Sequence, residues 1–378
     1  MSDLVQLLPL WNALRAAQTE YVLATVVEVE GSGYRKPGAR MLVAADGRRA
    51  GTISGGCLEA EVARKAFWHT EHGPVLRRYS TSSEDGEVPF GMGCGGVVHL
   101  LLERSSTADV VLQRLAASFE NREPLAIATA LEGDLIVQRG FWPASPLIQF
   151  DPRISANLND LARQSFERQR SFSEPIEGED RQITTVRAEW IAPRPGLFIF
   201  GAGDDAIPLA EHARLLGWYV AICDGRSHLA TPVRFPLADD VHVLPAGDFP
   251  PLPLRSTDAA VVMTHSLQQD TRILGGLLKQ DLTYVGVLGP RRRTQDMLLT
   301  LAGESGLPPS EQTFKLDEQI ETWLERLHAP MGLDLGGDTP SGIALAVIAE
   351  IQQTLHHATG LSLRKVRSGT FTSQTLRS

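Results

Sequence analysis

The most constraining feature of this sequence lies at residues 197–224, which read LFIFGAGDDAIPLAEHARLLGWYVAICD. An apolar run is followed by a glycine-rich turn, a stretch with helical spacing and a second apolar run. Gly201, Gly203 and Ala206 form the pattern GxGxxA directly after the first run, and Asp224 ends the second. The glycines permit a tight strand-to-helix turn, and a carboxylate in the position of Asp224 accepts hydrogen bonds from a ribose. The segment therefore predicts a Rossmann-like parallel sheet.

Two further apolar runs, at 259–265 and 284–289, are each followed by a helical stretch. Strands that alternate with helices predict a doubly wound sheet, in which ligands bind at the carboxyl ends of the strands. The candidate ligand contacts after these two runs are His265, Arg291 and Arg292. For the arginines the alternatives are contact with an anion or a solvated surface, and for His265 they are contact with a ligand or a hydrogen-bonded strand cap.

Two acidic residues argue against simple dinucleotide binding at the glycine turn. Asp204 and Asp205 stand at the predicted helix start, where their carboxylates complement the helix dipole and are available to cap its free N–H groups. An incoming pyrophosphate would meet electrostatic repulsion there. The sequence therefore predicts the Rossmann-like fold. It leaves open whether this fold binds a nucleotide or whether its nucleotide site has been lost or adapted to another ligand.

The first half of the chain has the pattern of a mixed α/β domain. Apolar and β-branched runs predict strands at 21–29, 41–45, 97–102, 125–130, 135–138 and 183–190. Helical spacing predicts helices at the N-terminus, after Gly56, at 108–119 and at 156–169. The polar, acidic segment SFSEPIEGEDRQITT is predicted to be an exposed loop. The segment APRPG, at 192–196, indicates a linker, so we expect domains at 1–190 and 191–360 and a flexible tail at 361–378.

Two cysteines lie against glycines in the first half of the chain. Cys57 follows Gly55 and Gly56 in GTISGGCLEAE, and Cys94 lies in GMGCGG with Gly93, Gly95 and Gly96. Backbone N–H groups exposed by such glycines favour a thiolate, so either sulfur is a candidate contact for a cofactor or a soft metal, with Cys94 favoured. The alternative is that each cysteine is a small core residue. The spacing of a four-ligand zinc site is not present in the sequence.

Charge and cysteine usage narrow the class of protein. The formal net charge of −9 argues against a duplex nucleic-acid binder, because phosphate neutralisation requires a basic face. The sequence contains no uninterrupted apolar run long enough to cross a membrane, and its N-terminus lacks the basic segment of an export signal. Its three cysteines form no CxxC pair and leave an odd one over, which favours a reducing cytoplasm.

Several segments, taken in order, resemble the XdhC/CoxI family of molybdoenzyme maturation factors. They are GSGYRKPGARMLV, GTISGGCLEAEV, GMGCGG, FGAGDDAIPLAEHARLLGWYVAICDGR, VVMTH, YVGVLGPRRR and HAPMGLDLGGDTPSGIALAVIAEI. The resemblance runs through nearly the whole chain and is weakest at about 105–190. Many members have a histidine after the GAG turn where this chain has Asp204, and this departure weighs further against ordinary NAD binding.

The resemblance implies a cytoplasmic accessory protein with an N-terminal XdhC/CoxI-type domain and a Rossmann-like C-terminal domain. Such proteins bind the molybdenum cofactor, protect it while a cysteine desulfurase supplies its terminal sulfur, and pass it to a xanthine dehydrogenase-type molybdoenzyme. A phosphorylated pterin with a dithiolene-bound molybdenum would need close main chain, local cations and a soft donor. The resemblance makes Arg35, Lys36 and the three successive arginines Arg291 to Arg293 candidate cations, and Cys94 the candidate molybdenum or sulfur contact.

Two other functions stay open. One is an NAD(P)-dependent oxidoreductase that uses the turn at Gly201 and Gly203, with His265 as its proton donor. The other is a scaffold that bridges enzymes without holding a cofactor. The sequence does not name the recipient enzyme or distinguish molybdopterin from a nucleotide-conjugated form of the cofactor. It does not set the oligomeric state either, and a homodimer is one arrangement that it allows.

Overall fold

The computed structural model describes residues 2–31, 34–80, 96–143, 152–177, 183–245, 249–303 and 320–367. The chain divides into two compact units, Met1–Arg194 and Pro195–Ser378, which we call unit 1 and unit 2. Among the helices of these described ranges, none combines the length and the apolar character that crossing a membrane requires.

Unit 1 contains a five-stranded antiparallel sheet in the order β3-β2-β1-β5-β4. Its strands are β1 (Tyr21–Glu30), β2 (Arg40–Ala44), β3 (Arg49–Gly51), β4 (Val75–Ser80) and β5 (Val97–Arg104), and the helices that pack on it are α1 (Ser2–Ala16), α2 (Cys57–His69) and α3 (Ser105–Asn121). Tyr21 and Leu23 pack with α1 and α3, whereas Val22 and Ala24 pack with α2. Because successive side chains of a strand face opposite sides, β1 is buried on both faces and reads as a nearly continuous apolar run.

A second antiparallel sheet of unit 1 has the order β7-β6-β9-β8. Its strands are β6 (Leu125–Ala130), β7 (Arg139–Trp142), β8 (Phe172–Glu177) and β9 (Ile183–Ile191), and helix α4 (Pro152–Glu167) packs on it. Gly140 allows the close approach of α4, since a Cβ at this residue would lie 2.2 Å from the carbonyl carbon of Leu158.

Two predictions for this second sheet are wrong. The strand predicted at 135–138 is instead a 3₁₀ turn (Gly133–Leu135) and its exit, and the strand begins at Arg139. Val137 has a φ of 62°, a left-handed conformation that is incompatible with a continuous strand. The acidic segment predicted as an exposed loop contains β8, whose main chain pairs with β9 while most of its side chains remain exposed. An edge strand of this kind carries little apolar pattern that sequence analysis can detect.

Unit 2 contains a five-stranded sheet in the order β12-β11-β10-β13-β14, and every neighbouring pair is parallel. Its strands are β10 (Gly196–Phe200), β11 (Tyr219–Asp224), β12 (Asp240–Val243), β13 (Ala259–Val262) and β14 (Tyr284–Val287). Counted from the start of the unit, this order is 3-2-1-4-5, the order of a Rossmann-like fold. The predicted α/β class with a Rossmann-like parallel sheet is therefore confirmed.

Helices cover both faces of the parallel sheet. Leu197 and Ile199 of β10 pack with α5 (Ala206–Leu215) and α8 (Pro340–Leu355), whereas Phe198 and Phe200 pack with α6 (Leu267–Leu277) and α7 (Arg291–Gly303). This two-sided burial explains why β10, β13 and β14 are uniformly apolar, whereas the edge strand β12 is largely exposed and contains Asp240 and His242. A short helix, α9 (Leu363–Arg367), lies in the segment predicted as a flexible tail, and the residues after it lie outside the described part of the chain.

Candidate functional site

The carboxyl edge of the parallel sheet brings the glycine turn of unit 2 next to His265. Gly201 has a φ of 134°, and its N–H donates to the carbonyl oxygen of Cys223 at 2.9 Å. A Cβ at Gly201 would lie 2.4 Å from the carbonyl oxygen of Met263, so only glycine fits between β10 and β13. A Cβ at Gly203 would lie 3.9 Å from Nε2 of His265. The structure therefore brings together Gly201, Gly203 and His265, as the carboxyl-edge prediction requires.

The carboxylate of Asp224, at the end of β11, is fully buried and accepts four hydrogen bonds. Oδ2 accepts from the backbone N–H of Ala202 at 2.7 Å and from Nη2 of Arg226 at 2.7 Å. Oδ1 accepts from the backbone N–H of Arg226 at 2.8 Å and from its Nε at 3.0 Å. Burial alone raises the pKa of this carboxyl group, but the hydrogen bonds from Arg226 and Ala202 outweigh burial and hold the pKa below its ordinary value. Asp224 thus fastens the glycine turn to β11.

The two aspartates at the start of α5 bind side chains and do not cap the helix, contrary to the sequence-based expectation. Asp205 occupies the N-cap position without a capping hydrogen bond from its side chain. Its Oδ2 lies 3.0 Å from Nε2 of His265, and Oδ1 of Asp204 accepts a hydrogen bond of 2.8 Å from Arg234. His265 is 61% exposed and has a φ of 65°, which is uncommon for a residue with a side chain. Its ring therefore stands at the solvent edge of the turn, held on one side by a carboxylate.

The three successive arginines at the start of α7 have different environments. Nη2 of Arg293 donates a hydrogen bond of 2.7 Å to Oδ2 of Asp270, which is buried. Oδ1 of Asp270 accepts from the backbone N–H of Thr264 at 3.1 Å, so this pair links α6, α7 and the end of β13. The side chains of Arg291 and Arg292 are exposed. Arg293 is therefore part of the scaffold, whereas Arg291 and Arg292 face solvent at a helix start, where an anion is favoured.

A buried glutamate that the sequence analysis did not single out holds the glycine loop of unit 1. Glu59 accepts hydrogen bonds from the backbone N–H groups of Ile53 (3.0 Å), Ser54 (2.7 Å) and Gly56 (3.0 Å), and from the Ser54 hydroxyl (2.5 Å). Burial raises the pKa of Glu59, but these hydrogen bonds outweigh burial and lower it. The available signal was a glutamate three residues after Gly56, the position of the acidic residue in a capping box.

Held in this way, the loop presents main chain to solvent. Gly55 and Gly56 are both exposed, and a Cβ at Gly56 would meet no atom within 4 Å. Gly56 has a φ of 126°, so its backbone conformation rather than crowding accounts for glycine at this position. Cys57 is the first residue of α2. The loop and the helix start therefore form an open cradle of main chain in unit 1.

Arg35 and the glycine run around Cys94 are the other predicted contacts in the first half of the chain, and Cys223 is the third cysteine. Arg35 forms an ion pair with Asp3 of α1, so its charge is partly balanced within unit 1. Gly96 directly precedes β5, whereas Gly93, Cys94 and Gly95 lie outside the described residues. Cys223, which was not a candidate, is fully buried in β11, and burial raises the pKa of its thiol to about 12.

Each unit, considered by itself, has groups of a kind that a phosphorylated pterin dithiolene requires. In unit 1, Gly55 and Gly56 expose main chain that a ligand can approach closely. In unit 2, Arg291 and Arg292 are exposed cations of the kind that bind a phosphate. Within the described ranges, no group of three or more histidine, cysteine or acidic side chains is arranged to hold a metal ion. The two sulfurs of the dithiolene already coordinate the molybdenum, so the protein would have to supply at most one further soft donor to the metal.

Comparisons with known proteins agree over most of the chain. Residues 197–351 match the XdhC Rossmann domain, and residues 14–80 match the XdhC and CoxI family. The chain is 33% identical over 360 residues to a protein of Bacillus subtilis (strain 168) that is named as a probable component of xanthine dehydrogenase, covering 91% of this chain and 96% of that protein. It is 25% identical over 349 residues to the molybdenum cofactor insertion chaperone PaoD of Escherichia coli (strain K12), covering 89% and 84%.

A solved structure is similar over its full length. The crystal structure of a xanthine dehydrogenase from Bacillus halodurans aligns over 100% of both chains, with a TM-score of 0.67 and 27% sequence identity. The two matched domains occur in the order that the sequence motifs predict. This chain belongs to the XdhC and CoxI family.

Proposed function

We propose that this protein is a maturation factor for a xanthine dehydrogenase-type molybdoenzyme. It binds the molybdenum cofactor, holds it while the terminal sulfur is installed, and delivers it to the enzyme. The observation that carries this proposal is similarity over most of the chain to two proteins, one named as a probable component of xanthine dehydrogenase and the other as a molybdenum cofactor insertion chaperone.

In unit 1 the proposed cofactor contacts are the main chain of Gly55 and Gly56, the thiol of Cys57 and the cation Arg35. The support for the glycines is their exposure on a loop that Glu59 holds in one conformation. A thiol at a helix start has a favoured thiolate, which is the form that contacts a soft metal or transfers sulfur. The glycine run of Gly93, Cys94, Gly95 and Gly96 completes the proposed contacts, with Cys94 as the preferred molybdenum or sulfur contact.

In unit 2 the proposed contacts with the cofactor phosphate are Arg291 and Arg292, together with the main chain of Gly201 and Gly203 and the ring of His265. The support is their exposure at the carboxyl edge of a parallel sheet, where open α/β folds bind ligands. Asp224, a candidate contact from the sequence, is less available, because both oxygens of its carboxylate already accept hydrogen bonds within the fold.

The proposed partners are a molybdoenzyme of the xanthine dehydrogenase type, which receives the cofactor, and a cysteine desulfurase, which supplies the sulfur. We place these steps in the cytoplasm, where thiols stay reduced. A homodimer is the proposed assembly. The proposed role requires binding and protection of the cofactor and no turnover of a metabolite by this chain.

The test is to purify the protein from a molybdenum-replete host and measure oxidised pterin fluorescence and metal content. We expect pterin and molybdenum in near-equal amounts, and transfer of both to a cofactor-free target enzyme, which gains activity. Protein that carries neither pterin nor molybdenum would overturn the proposal and favour a scaffold. The nucleotide released on hydrolysis distinguishes molybdopterin from its nucleotide-conjugated form.

Cysteine variants test the sulfur contact. We expect Cys57→Ala and Cys94→Ala to lower cofactor occupancy or the rate of its donation, with the larger loss at Cys94. Cys223→Ala is the matched control, because this buried thiol of unit 2 is not a proposed contact. Full occupancy and full donation rate in both of the first two variants would show that the sulfur role is wrong.

A second candidate is an NAD(P)-dependent oxidoreductase. The observation in its favour is the strand order of unit 2 with a glycine turn after its first strand. It requires pyridine-nucleotide binding, which isothermal titration calorimetry measures directly. An absence of binding heat at about 1 mM NAD and NADP would remove this candidate, since a Kd above that range corresponds to less than about 4 kcal/mol of binding free energy.

A further inference from the structure

The parallel sheet of unit 2 has the strand order, the glycine turn and the acidic strand end of a dinucleotide-binding fold. In such folds the carboxylate at the end of the second strand reads the ribose by accepting hydrogen bonds from its hydroxyl groups. Asp224 holds this position at the end of β11. The hydrogen-bond partners of the Asp224 carboxylate therefore help to decide which ligands can bind at this edge of the sheet.

The side chain of Arg226, two residues further along the chain, forms hydrogen bonds with both oxygens of the Asp224 carboxylate. Its guanidinium donates through Nε to Oδ1 at 3.0 Å and through Nη2 to Oδ2 at 2.7 Å, a bidentate arrangement. Its own backbone N–H and that of Ala202 supply the other two hydrogen bonds. A carboxylate offers about four acceptor positions, so these four donors use its full capacity.

The burial of Asp224 behind Arg226 further limits access of a ligand to the carboxylate. The Asp224 side chain is fully buried, whereas the Arg226 side chain is 37% exposed. The guanidinium therefore lies on the solvent side of the carboxylate, where a ribose would approach. A ribose hydroxyl would have to displace a charge-assisted hydrogen bond to reach Asp224, and the guanidinium has no acceptor to offer it in return.

We infer that Arg226 is a specificity-determining residue that closes the ribose-reading position of unit 2 and excludes NAD from this edge. The guanidinium stands where the ribose diol of a dinucleotide would stand. Ligands that carry a phosphate but place no ribose diol at Asp224 are not excluded. The inference rests on unit 2 alone and holds whether or not unit 1 binds the molybdenum cofactor.

Calorimetric titration of the full-length protein with NAD and NADP tests this inference. We expect wild-type protein to bind NAD with a Kd above about 1 mM and Arg226→Ala to bind it at about 100 µM or tighter, a gain of at least tenfold. The gain should favour NAD over NADP, because the freed Asp224 carboxylate repels a 2′-phosphate. Adding Asp224→Asn to Arg226→Ala should abolish the gain.

The matched control is Arg234→Ala. This residue also pairs with an aspartate of the glycine turn, through Nη2 to Oδ1 of Asp204 at 2.8 Å. We expect no gain in NAD binding, which separates unmasking of Asp224 from a change in local charge.

Two results would overturn the inference: wild-type protein that binds NAD at about 100 µM or tighter, and a folded Arg226→Ala variant that gains no affinity. Circular dichroism and the urea midpoint establish whether the variant is folded. If Arg226→Ala does not fold, Arg226→Met decides, because it keeps an unbranched side chain and removes every donor that the guanidinium offers to Asp224. We expect it to gain NAD affinity, and no gain in folded Arg226→Met would equally count against the inference. Pterin analysis of the same preparations separates this outcome from failure of the proposed cofactor role.

Discussion

The carboxylate of Glu59 accepts a hydrogen bond of 2.7 Å from the backbone N–H of Ser54, five residues before it in the chain. The same carboxylate binds the N–H groups on both sides of that residue in the loop, at Ile53 and Gly56. The glycine loop of unit 1 is therefore shaped by one buried side chain from the first turn of α2. A single conservative substitution of Glu59 can therefore test what holds the loop in its conformation.

We predict that Glu59→Gln destabilises unit 1 by about 1–3 kcal/mol, because an amide presents an N–H group to donors that need an acceptor. Urea unfolding measures the loss, and amide exchange should be faster at Ile53, Ser54 and Gly56. Glu61→Gln, on the same helix, is the control. Glu61 pairs with the surface side chains Arg64 and Lys65, so we expect its loss to cost less than about 1 kcal/mol. Equal effects of the two substitutions would contradict the account of the loop.

A second prediction concerns the buried ion pair of Arg139 on β7 with Glu103 on β5. The two side chains are 4% and 1% exposed, so removal of one leaves a buried charge without its partner. We expect Arg139→Met or Glu103→Gln alone to cost about 3–5 kcal/mol, and the double variant to cost much less than their sum. Denaturant unfolding of the four proteins in this cycle provides the coupling energy. Additive losses would mean that the two charges do not act as a pair.

Gly201→Ala tests the close approach between β10 and β13. The added Cβ would lie 2.4 Å from a carbonyl oxygen, and the φ of 134° disfavours any side chain. Because the obstructing atom belongs to the main chain of Met263, directly after β13, we expect a loss of about 3 kcal/mol or more in unit 2. Gly303→Ala is the control, since a Cβ there meets no atom within 4 Å, and its effect should be within about 0.5 kcal/mol. Thermal and urea unfolding measure both.

The fourth prediction is a pH dependence of unit 2 through Glu350 on α8. Its carboxylate accepts hydrogen bonds from the Tyr284 hydroxyl (2.6 Å) and the Gly332 N–H (2.7 Å), and it lies 3.2 Å from Nδ1 of His328. Burial raises the pKa of Glu350, but the contacts with His328, Tyr284 and Gly332 outweigh burial and lower it. A carboxyl group with a depressed pKa in the folded state stabilises the protein above its unfolded pKa of about 4.3, and this stabilisation is lost as pH falls through the folded pKa.

We therefore expect wild type to exceed Glu350→Gln in stability at neutral pH, and the difference to shrink below about pH 4.3. Urea unfolding between pH 3 and pH 7, on the order of one measurement per half unit, is sufficient to resolve the trend. The exposed Glu211 of α5 provides a control for the same substitution at the surface. A stability difference that grows on acidification would show that the sign is wrong.

The parallel sheet could be predicted from sequence because its inner strands and β14 are buried on both faces, whereas the exposed edge strand β12 was not predicted. Phe198 and Ile199 face opposite layers of helices, so the strand needs consecutive apolar residues and is recognisable by this run alone. The segment of β8 was predicted as a loop because its side chains are mostly exposed and only its main chain pairs. Main-chain pairing of an edge strand leaves no apolar periodicity in the sequence.

The candidate site was predictable in its residue types and not in its contacts. The glycine turn, Asp224 and His265 were recognised from their spacing. That Asp205 holds His265 and Asp204 holds Arg234 required the tertiary structure, because the partners are 60 and 30 residues apart in the chain. The sequence motif suggested that both aspartates cap α5, which is the local alternative that the longer-range contacts replaced.

The sequence by itself determined that unit 2 is a doubly wound sheet, in which strands alternate with helices, and it located the glycine turn. Both follow from local residue types, because apolar runs mark buried strands and glycine permits a positive φ. Only the tertiary structure decided which polar groups remain available to a ligand. The carboxylates of Asp224 and Glu59 are consumed by donors within the fold, whereas the side chains of Arg291 and Arg292 are exposed. The physical reason is that a hydrogen-bonding group has a fixed capacity, and its free share is known only after every neighbour has been placed.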